Sequence, residues 1–392
     1  MKRVPIDLFE LYKFTLDGGN YQTFVDKYDE KYDALQIDGF EFAPTQIGYT
    51  FSQLISQTGA TTLPAYVDPE SPGYERMMGE AKGVSNNIPT QKSFYSLNRT
   101  IVRDKMQLIQ QYGWSVMNSE MREVFLGMLD ESTDGLIQGY YNALTHQRMQ
   151  IVSNGKFVID INNNPRGLKG IEIGFGIEAN HFETLSGTAR WWTNNDGSMT
   201  TEGTAADPIQ YLKDKLEAIE DTFHVSAPMQ VEMSKKLFKK FINHSKVRAK
   251  IGLVLMPTLD AAGQLAYANI QSEEVIKANV EAMIGAPIVV RDTYAWVDKP
   301  DATNHTLIQF KVENFNPKNV AFVPQGKLGY IQGVTPLTLG YEANKVAFHN
   351  GRRLVLSQRA NPETHSIYIE SEAAQICVPS VPQAMFISTV TA

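Results

Sequence analysis

The stretch from Gln57 to Arg99, QTGATTLPAYVDPESPGYERMMGEAKGVSNNIPTQKSFYSLNR, limits what this chain can fold into more than any other. It carries Pro64, Pro69, Pro72 and Pro89 among several glycines. A loop of this length inside a compact domain is uncommon and tends to be functional. Alternation over Lys92–Leu97 predicts a long two-stranded excursion, which is marginal by itself and needs a partner surface. The residues before it, 1 to about 50, hold no sustained period. A short helix is expected over Ile6–Leu16, stopped by Asp17-Gly18-Gly19. Then YQTFVDKYDEKYDALQIDGFEF mixes single aromatics with acids and lysines and reads as an arm lying on something else. Arm and excursion make up about a quarter of the 392 residues, and neither can bury a core alone. Their apolar groups are Phe40, Phe42, Phe51, Leu54, Leu63, Tyr66, Tyr74 and Phe94. Exposed strips of this kind mark association surfaces, so Phe40, Phe42, Phe51, Leu63, Tyr66, Tyr74 and Phe94 are the candidate contacts between copies.

Composition narrows the class. A hydrophobic content of 43% with 20% charged residues allows a large core in one elaborate or two to three compact domains, and excludes bulk disorder. A net charge of −7 argues against a dedicated nucleic-acid-binding protein, which would show a basic field. Cys377 stands alone, so no internal disulfide forms and a reducing compartment is expected. Asp7, Glu10 and Lys13 interrupt any signal-peptide core, and the longest apolar run, Ile251–Leu259, is too short to span a bilayer. A soluble, cytosolic-type protein with no membrane contact is expected.

The rest of the chain reads as α+β without an internal repeat. Residues 101–153 are helical, with Ile137, Tyr140, Tyr141, Leu144, Arg148 and Ile151 on one stripe and Asn154-Gly155 as the stop. Gly113, Gly127, Gly135 and Gly139 predict a break or bend between 110 and 135. A hairpin follows, from Phe157–Asp160 through the turn NNNPRG to Gly170–Glu178. Asp207-Pro208 starts a helix with Ile209, Leu212, Leu216, Ile219 and Phe223 at 3–4 spacing. Met229–Met233 is a strand, and Ser234 caps a helix reaching about Asn243. Ile251–Met256 reads as a buried strand from its apolar run, Ser272–Ile284 as a helix ended by Gly285, and Ile288–Trp296 as a strand. Further strands are expected over Leu307–Val312, Val320–Val323, Leu328–Gln332, Arg352–Gln358, Ser366–Glu370, Gln375–Val378 and Met385–Val390.

Motifs for chemistry are weak. NVAFVPQGKLGYIQG (319–333) has the frame of a phosphate-binding loop, but Ala321 stands where glycine is needed and Leu328 where Ser or Thr is needed. Pro324-Gln325-Gly326 suits a tight turn instead, making a β-turn-β element. Gly174-Phe175-Gly176-Ile177-Glu178-Ala179 fits the loose dinucleotide pattern, yet lies inside an alternating strand. The seven histidines show no metal-ligand spacing, and no G-x-S-x-G elbow is present. Lys235, Lys236, Lys239 and Lys240 read as the wet face of a helix with Leu237, Phe238, Phe241 and Ile242 inward. No catalytic residue, cofactor or metal site is expected.

The order of parts carries a resemblance. RMQIVSNGKFVID (148–160), GIEIGFGIE (170–178), GTARWW (187–192), ADPIQYLKDKL (206–216), AFVPQGKLGYIQG (321–333) and ESEAAQICVPSVPQAMFISTV (370–390) together resemble the major capsid proteins of tailed bacteriophages, in the lambda E-protein branch of the Hong Kong 97 coat-protein fold. The resemblance implies an N-terminal arm at 1–55, an extended loop over a neighbouring subunit at 56–100, and a peripheral domain with a spine helix at 101–200. It implies an axial domain at 201–345, a return to the peripheral domain at 346–378, and a last axial strand at 379–392. The implied function is structural: pentamers and hexamers closing into the icosahedral head of a tailed phage, assembled in the host cytoplasm around double-stranded DNA that is bound without sequence specificity. A separate scaffolding protein, a portal and a possible decoration protein are the implied partners, since no scaffolding extension precedes the arm. Some members staple subunits through Lys and Asn; Lys82, Lys92 and Asn361 exist here, but nothing marks them and no stapling is expected. The rival readings are an encapsulin-like nanocompartment shell and, from another class, a cytosolic α+β enzyme with a dispersed site.

Overall fold

The computed structural model describes residues 21, 22, 25, 26, 28, 32, 37–56, 81–98, 118–167, 169–194, 199–223, 225, 227–300, 307–336, 346–361 and 366–392. The helix expected over Ile6–Leu16, and Leu63, Tyr66 and Tyr74, lie outside the described residues.

In chain order the first strands are β1 (Phe40–Phe42), β2 (Thr50–Ser56), β3 (Ala81–Asn87) and β4 (Thr90–Asn98), followed by the long helix α1 (Asn118–Asn154). The hairpin strands β5 (Lys156–Ile159) and β6 (Ile171–Gly174) come next, then β7 (Phe182–Thr184), α2 (Pro208–Phe223) and β8 (Met229–Ser234). Four short helices follow: α3 (Lys235–Ile242), α4 (Ser245–Leu255), α5 (Ala261–Asn269) and α6 (Glu273–Ile284). The remaining strands are β9 (Ile288–Arg291), β10 (Tyr294–Pro300), β11 (Leu307–Glu313), β12 (Asn319–Pro324), β13 (Gly329–Gly333), β14 (Val346–His349), β15 (Leu354–Asn361), β16 (Ser366–Pro379) and β17 (Phe386–Thr389). The α+β class is as expected. No helix among the described residues is long and apolar enough to cross a membrane.

The chain divides into two units, and α1 runs through the division. The first unit holds residues up to Phe51, Asn87–Thr145 and Tyr330–Cys377. Its sheet has the order β1-β13-β16-β15-β14, with β4 also paired to β16. Strand β16 is long enough to carry β15 and β4 along the same residues, Ser366–Ala373. So the strand predicted at Lys92–Leu97 joins a sheet with β16, while the two-stranded excursion is formed by β2 and β3. Ile137, Tyr140 and Leu144 of α1 are buried in this unit. Tyr140 Oη donates to Gln375 Oε1 at 2.8 Å, and the Cys377 thiol points to the Leu144 carbonyl at 3.7 Å.

The arm differs from expectation. Tyr21, Val25, Tyr28 and Tyr32 are buried. Tyr21 Oη meets Thr133 Oγ1 at 3.1 Å, Tyr28 bonds Asp130, and Tyr32 donates to Asp134 at 2.5 Å while stacking on Tyr141. The single aromatics that seemed to need another molecule find their partners on α1 of their own chain. Nor does α1 break within 118–135 as its glycines suggested. At Gly135 a Cβ would come within 2.8 Å of Tyr95 Oη, so this glycine makes room for a side chain of β4.

The second unit holds Ser52–Asn86, His146–Gly329 and Val378–Ala392. Its sheet runs β7-β17-β12-β8-β9. All six residues of β12 are buried, as befits a central strand. Trp191, Leu212, Val231, Phe241, Val280 and Phe386 belong to one continuous core. Helix α2 starts where predicted, with Asp207 Oδ1 accepting from the Gln210 amide at 3.2 Å. Burial raises the Asp207 carboxyl's affinity for a proton, but Lys250 and the Gln210 amide outweigh it and hold the group below its ordinary range. Ser234 Oγ caps α3, and α6 ends on Gly285 at φ 74°, both as expected.

Several elements correct the sequence reading, among them the strands expected over Ser366–Glu370 and Gln375–Val378, which are one strand, β16. Ile251–Met256 belongs to helix α4, not to a strand. Val247, Arg248, Ile251 and Gly252 are its buried residues, an i, i+4 face that begins before the apolar run. Helix α5 was not foreseen; Asp260 caps it by accepting from the Gly263 amide at 3.0 Å. The strand expected over Ile288–Trp296 is two strands, β9 in the large sheet and β10 in a hairpin with β11.

Candidate functional site

Among the described residues, a buried ionic cluster that gathers several charges lies in the second unit. Glu232 on β8 is fully buried, and Arg148 near the end of α1 is 1% exposed. Arg148 donates through both terminal nitrogens to the two carboxylate oxygens at 2.6 and 2.5 Å. Arg291 on β9 donates from Nε and Nη2 at 2.9 and 2.8 Å, and Gln230 Nε2 adds a bond at 2.8 Å. Burial would favour the neutral acid, but the charge of Arg148 and the bonds from both arginines win, and hold the Glu232 pKa down at about 2. With every acceptor site occupied, the carboxylate ties a helix to a sheet; it has no lone pair to offer a substrate. Among the described residues no group of three His, Cys, Asp or Glu could hold a metal ion. A shallow hollow lined by Phe182, Glu183, Tyr211, Asp214 and Lys215 is likewise closed on itself, since Glu183 takes both Lys215 and the Tyr211 hydroxyl at 2.9 Å.

The turn at 324–328 holds no phosphate cradle. Gly326 stands at φ 86°, Leu328 is buried, and Gln325 N–H bonds the Pro228 carbonyl. The lysines of α3 lie opposite its buried face of Leu237, Phe238, Phe241 and Ile242, as expected.

What the fold does present is apolar surface. Of the residues singled out beforehand, Phe94 on β4 is 57% exposed, its ring edge-on to Tyr368. Phe40 and Phe51 are buried in their own chain, and Phe42 is half-buried with the Arg353 guanidinium 4.9 Å from its ring. Two larger faces were missed. On the β10–β11 hairpin, Tyr294, Trp296, Leu307, Ile308 and Phe310 are all exposed. The register pairs Trp296 with Lys311 and Val297 with Phe310, so apolar groups occupy both faces. Lys311 Nζ lies 5.2 Å from the Trp296 ring and Lys299 Nζ 5.3 Å from Phe310, which covers the rings only in part. On α4, α5 and the adjoining turns, Leu253, Val254, Leu259, Leu265 and Ile270 are exposed. The signal was present in the sequence: residues 251–271 contain a single charge, Asp260. Exposed apolar areas on this scale mark association.

No curated protein sequence matches the chain. Solved structures similar to it include a phage-related protein of Bordetella bronchiseptica RB50, at 14% identity over 98% of this chain and 97% of that one with a TM-score of 0.45. They also include the procapsid of satellite phage P4 with its size determination (Sid) protein (11%, 98% and 97%, 0.46) and the capsid of cyanophage P-SCSP1u (12%, 91% and 87%, 0.44). The family model of phage major capsid protein E matches residues 30–390, and the chain therefore belongs to that family.

Proposed function

We propose that copies of this chain close, as pentamers and hexamers, into the icosahedral head of a tailed double-stranded DNA phage. Its family supports a structural, non-enzymatic role in the virion capsid. The match across residues 30–390 carries the reading, because it takes in both units and not one module. Assembly takes place in the host cytoplasm with a separate scaffolding protein and a portal, and a decoration protein is a further candidate partner.

The arm is assigned to residues 1–55, the extended loop to 56–100, peripheral parts to 101–200 and 346–378, and axial parts to 201–345 and 379–392. Phe94, exposed on β4, is assigned to contact a neighbour, with Leu63, Tyr66 and Tyr74 of the extended loop. Phe40, Phe42 and Phe51 hold the arm to its own chain instead. Burying about 1,000 Å² of apolar area at each contact would offset roughly 25 kcal/mol before entropy. An acidic pI of 5.6 suits a wall that must not grip packaged DNA.

Electron microscopy of purified particles tests the reading. Icosahedral shells containing DNA are expected. Shells filled with cargo enzyme would favour a nanocompartment, and an assembly-incompetent protein would refute both. Deleting Thr58–Pro89 should leave a soluble subunit that forms no shells.

A further inference from the structure

We propose that the arm segment carrying Tyr21, Gln22, Tyr28 and Tyr32 is a detachable strap over the open edge of β14, and that β14 of a second copy takes its place when the strap lifts. The inference goes beyond the shell reading and stands whether or not the copies build a shell.

Strand β14 ends the sheet order of the first unit, with β15 on its one paired side. In an antiparallel pair the N–H and C=O groups that point away from the partner belong to alternate residues. At Phe348 both of these groups are taken by a single side chain. Gln22 Oε1 accepts from the Phe348 amide at 2.6 Å, and Gln22 Nε2 donates to the Phe348 carbonyl at 2.7 Å. Gln22 therefore makes the two bonds that a residue of a neighbouring strand would make. Its Nε2 also donates to Asp26 Oδ1 at 2.6 Å, one turn further along, which holds the amide in this orientation. Tyr21, Gln22, Val25, Asp26, Tyr28 and Tyr32 are all helical, so the sheet meets a helix here and stops. An open strand edge is a template for pairing with another chain, and a covering helix blocks it.

The strap is tied differently from the rest of the arm. Residues 40–46 run along β13 through their backbone: β1 joins the sheet, the Ala43 amide donates to the Ile331 carbonyl at 3.1 Å, and the Gln46 amide to the Gly333 carbonyl at 2.9 Å. The strap is held by side chains instead, with Tyr21 on Thr133, Tyr28 on Asp130, Tyr32 on Asp134 and Gln22 on Phe348. It can lift without unzipping a strand ladder, and local openings of this kind cost less than global unfolding.

Lifting uncovers the Phe348 N–H and C=O. The strand that fits them is β14 itself, because every copy carries the same outward-facing pair. Two copies related by a twofold axis satisfy one another as an antiparallel pair, a self-complementary contact that stops at two. The strap is thus an autoinhibitory contact that decides when this pairing occurs.

Three variants test it by sedimentation, at a dilution where wild type runs as a single subunit. Gln22→Ala/Tyr28→Ala/Tyr32→Ala loosens the strap and should pair with itself at least tenfold more tightly than wild type. Adding Phe348→Lys should reverse that gain at least tenfold, since two lysines then lie close together across the short paired strands. Unchanged self-association in the loosened variant would overturn the proposal. So would pairs that survive Phe348→Lys, which would mean that the apolar side of α1 is sticking instead. Should the triple variant lack a cooperative unfolding transition, Gln22→Ala/Tyr28→Phe/Tyr32→Phe replaces it, with the same two outcomes. As an independent measurement, hydrogen exchange of the Phe348 amide should speed up at least tenfold in Gln22→Ala alone. An unchanged rate would show that Gln22 does not cover this edge, and would also overturn the proposal.

Discussion

Replacing Glu232 by Gln removes a carboxylate that two guanidinium groups share. A pKa of about 2 against an ordinary 4.5 corresponds to about 3 kcal/mol of stability at neutral pH. The folded value is depressed, so this contribution is complete above pH 4.5 and drains away as pH falls toward 2. In Glu232→Gln both arginines lose this acceptor, and removing one partner of a buried ion pair should cost about 3–5 kcal/mol. At roughly 2–4 °C per kcal/mol for a unit of this size, the second unit should melt about 10 °C lower. The assay is thermal unfolding of unassembled subunits, followed through the buried Trp191 and Trp192. Between pH 4.5 and 2 the wild type should lose the increment that the variant no longer has. A triple replacement by Met and Leu at Arg148, Glu232 and Arg291 should come within about 2 kcal/mol of wild type, because a buried triad mostly cancels its own desolvation. If Glu232→Gln melts within 2 °C of wild type, or follows the same acid profile, the account of this cluster is wrong.

The other predictions are smaller. Gly252→Ala pushes a methyl toward the Gln264 backbone and should cost about 2 kcal/mol, read by denaturant unfolding. Ser234→Ala removes the cap on the Leu237 amide and should cost about 1 kcal/mol in the same assay. The Cys377 thiol, buried beside Leu144, should resist an aromatic disulfide reagent until denaturant is added and then react once per chain. Phe94→Ser should leave subunit stability within about 0.5 kcal/mol and lower shell yield, measured by sedimentation.

Sequence pattern located most strands and the helices with an unambiguous start. Asp207-Pro208 and Ser234 work through contacts within four residues, and such signals survive without a structure. Ile251–Met256 failed because a short apolar run does not distinguish a buried strand from the end of a helix that started at Ser245. Tyr21, Tyr28 and Tyr32 failed for a different reason. Their partners, Thr133, Asp130 and Asp134, lie about a hundred residues away on α1, and no local period announces a long-range hydroxyl bond. Phe94 was legible because alternation put it on a strand; the hairpin face was overlooked because Ile288–Trp296 read as one strand, hiding the break at Asp292-Thr293.

Strand β17 sits between β7 and β12, although more than two hundred residues separate Phe182 from Phe386 in the chain. Its register sets Ile387 beside both Phe182 and Ala321. A ribosome making this protein therefore delivers an inner strand of that sheet long after the two strands beside it. Until Phe386–Thr389 emerges, β7 and β12 each have an open edge. Nascent chains abandoned before that point lack a finished sheet and keep two strand edges open to pairing with other chains.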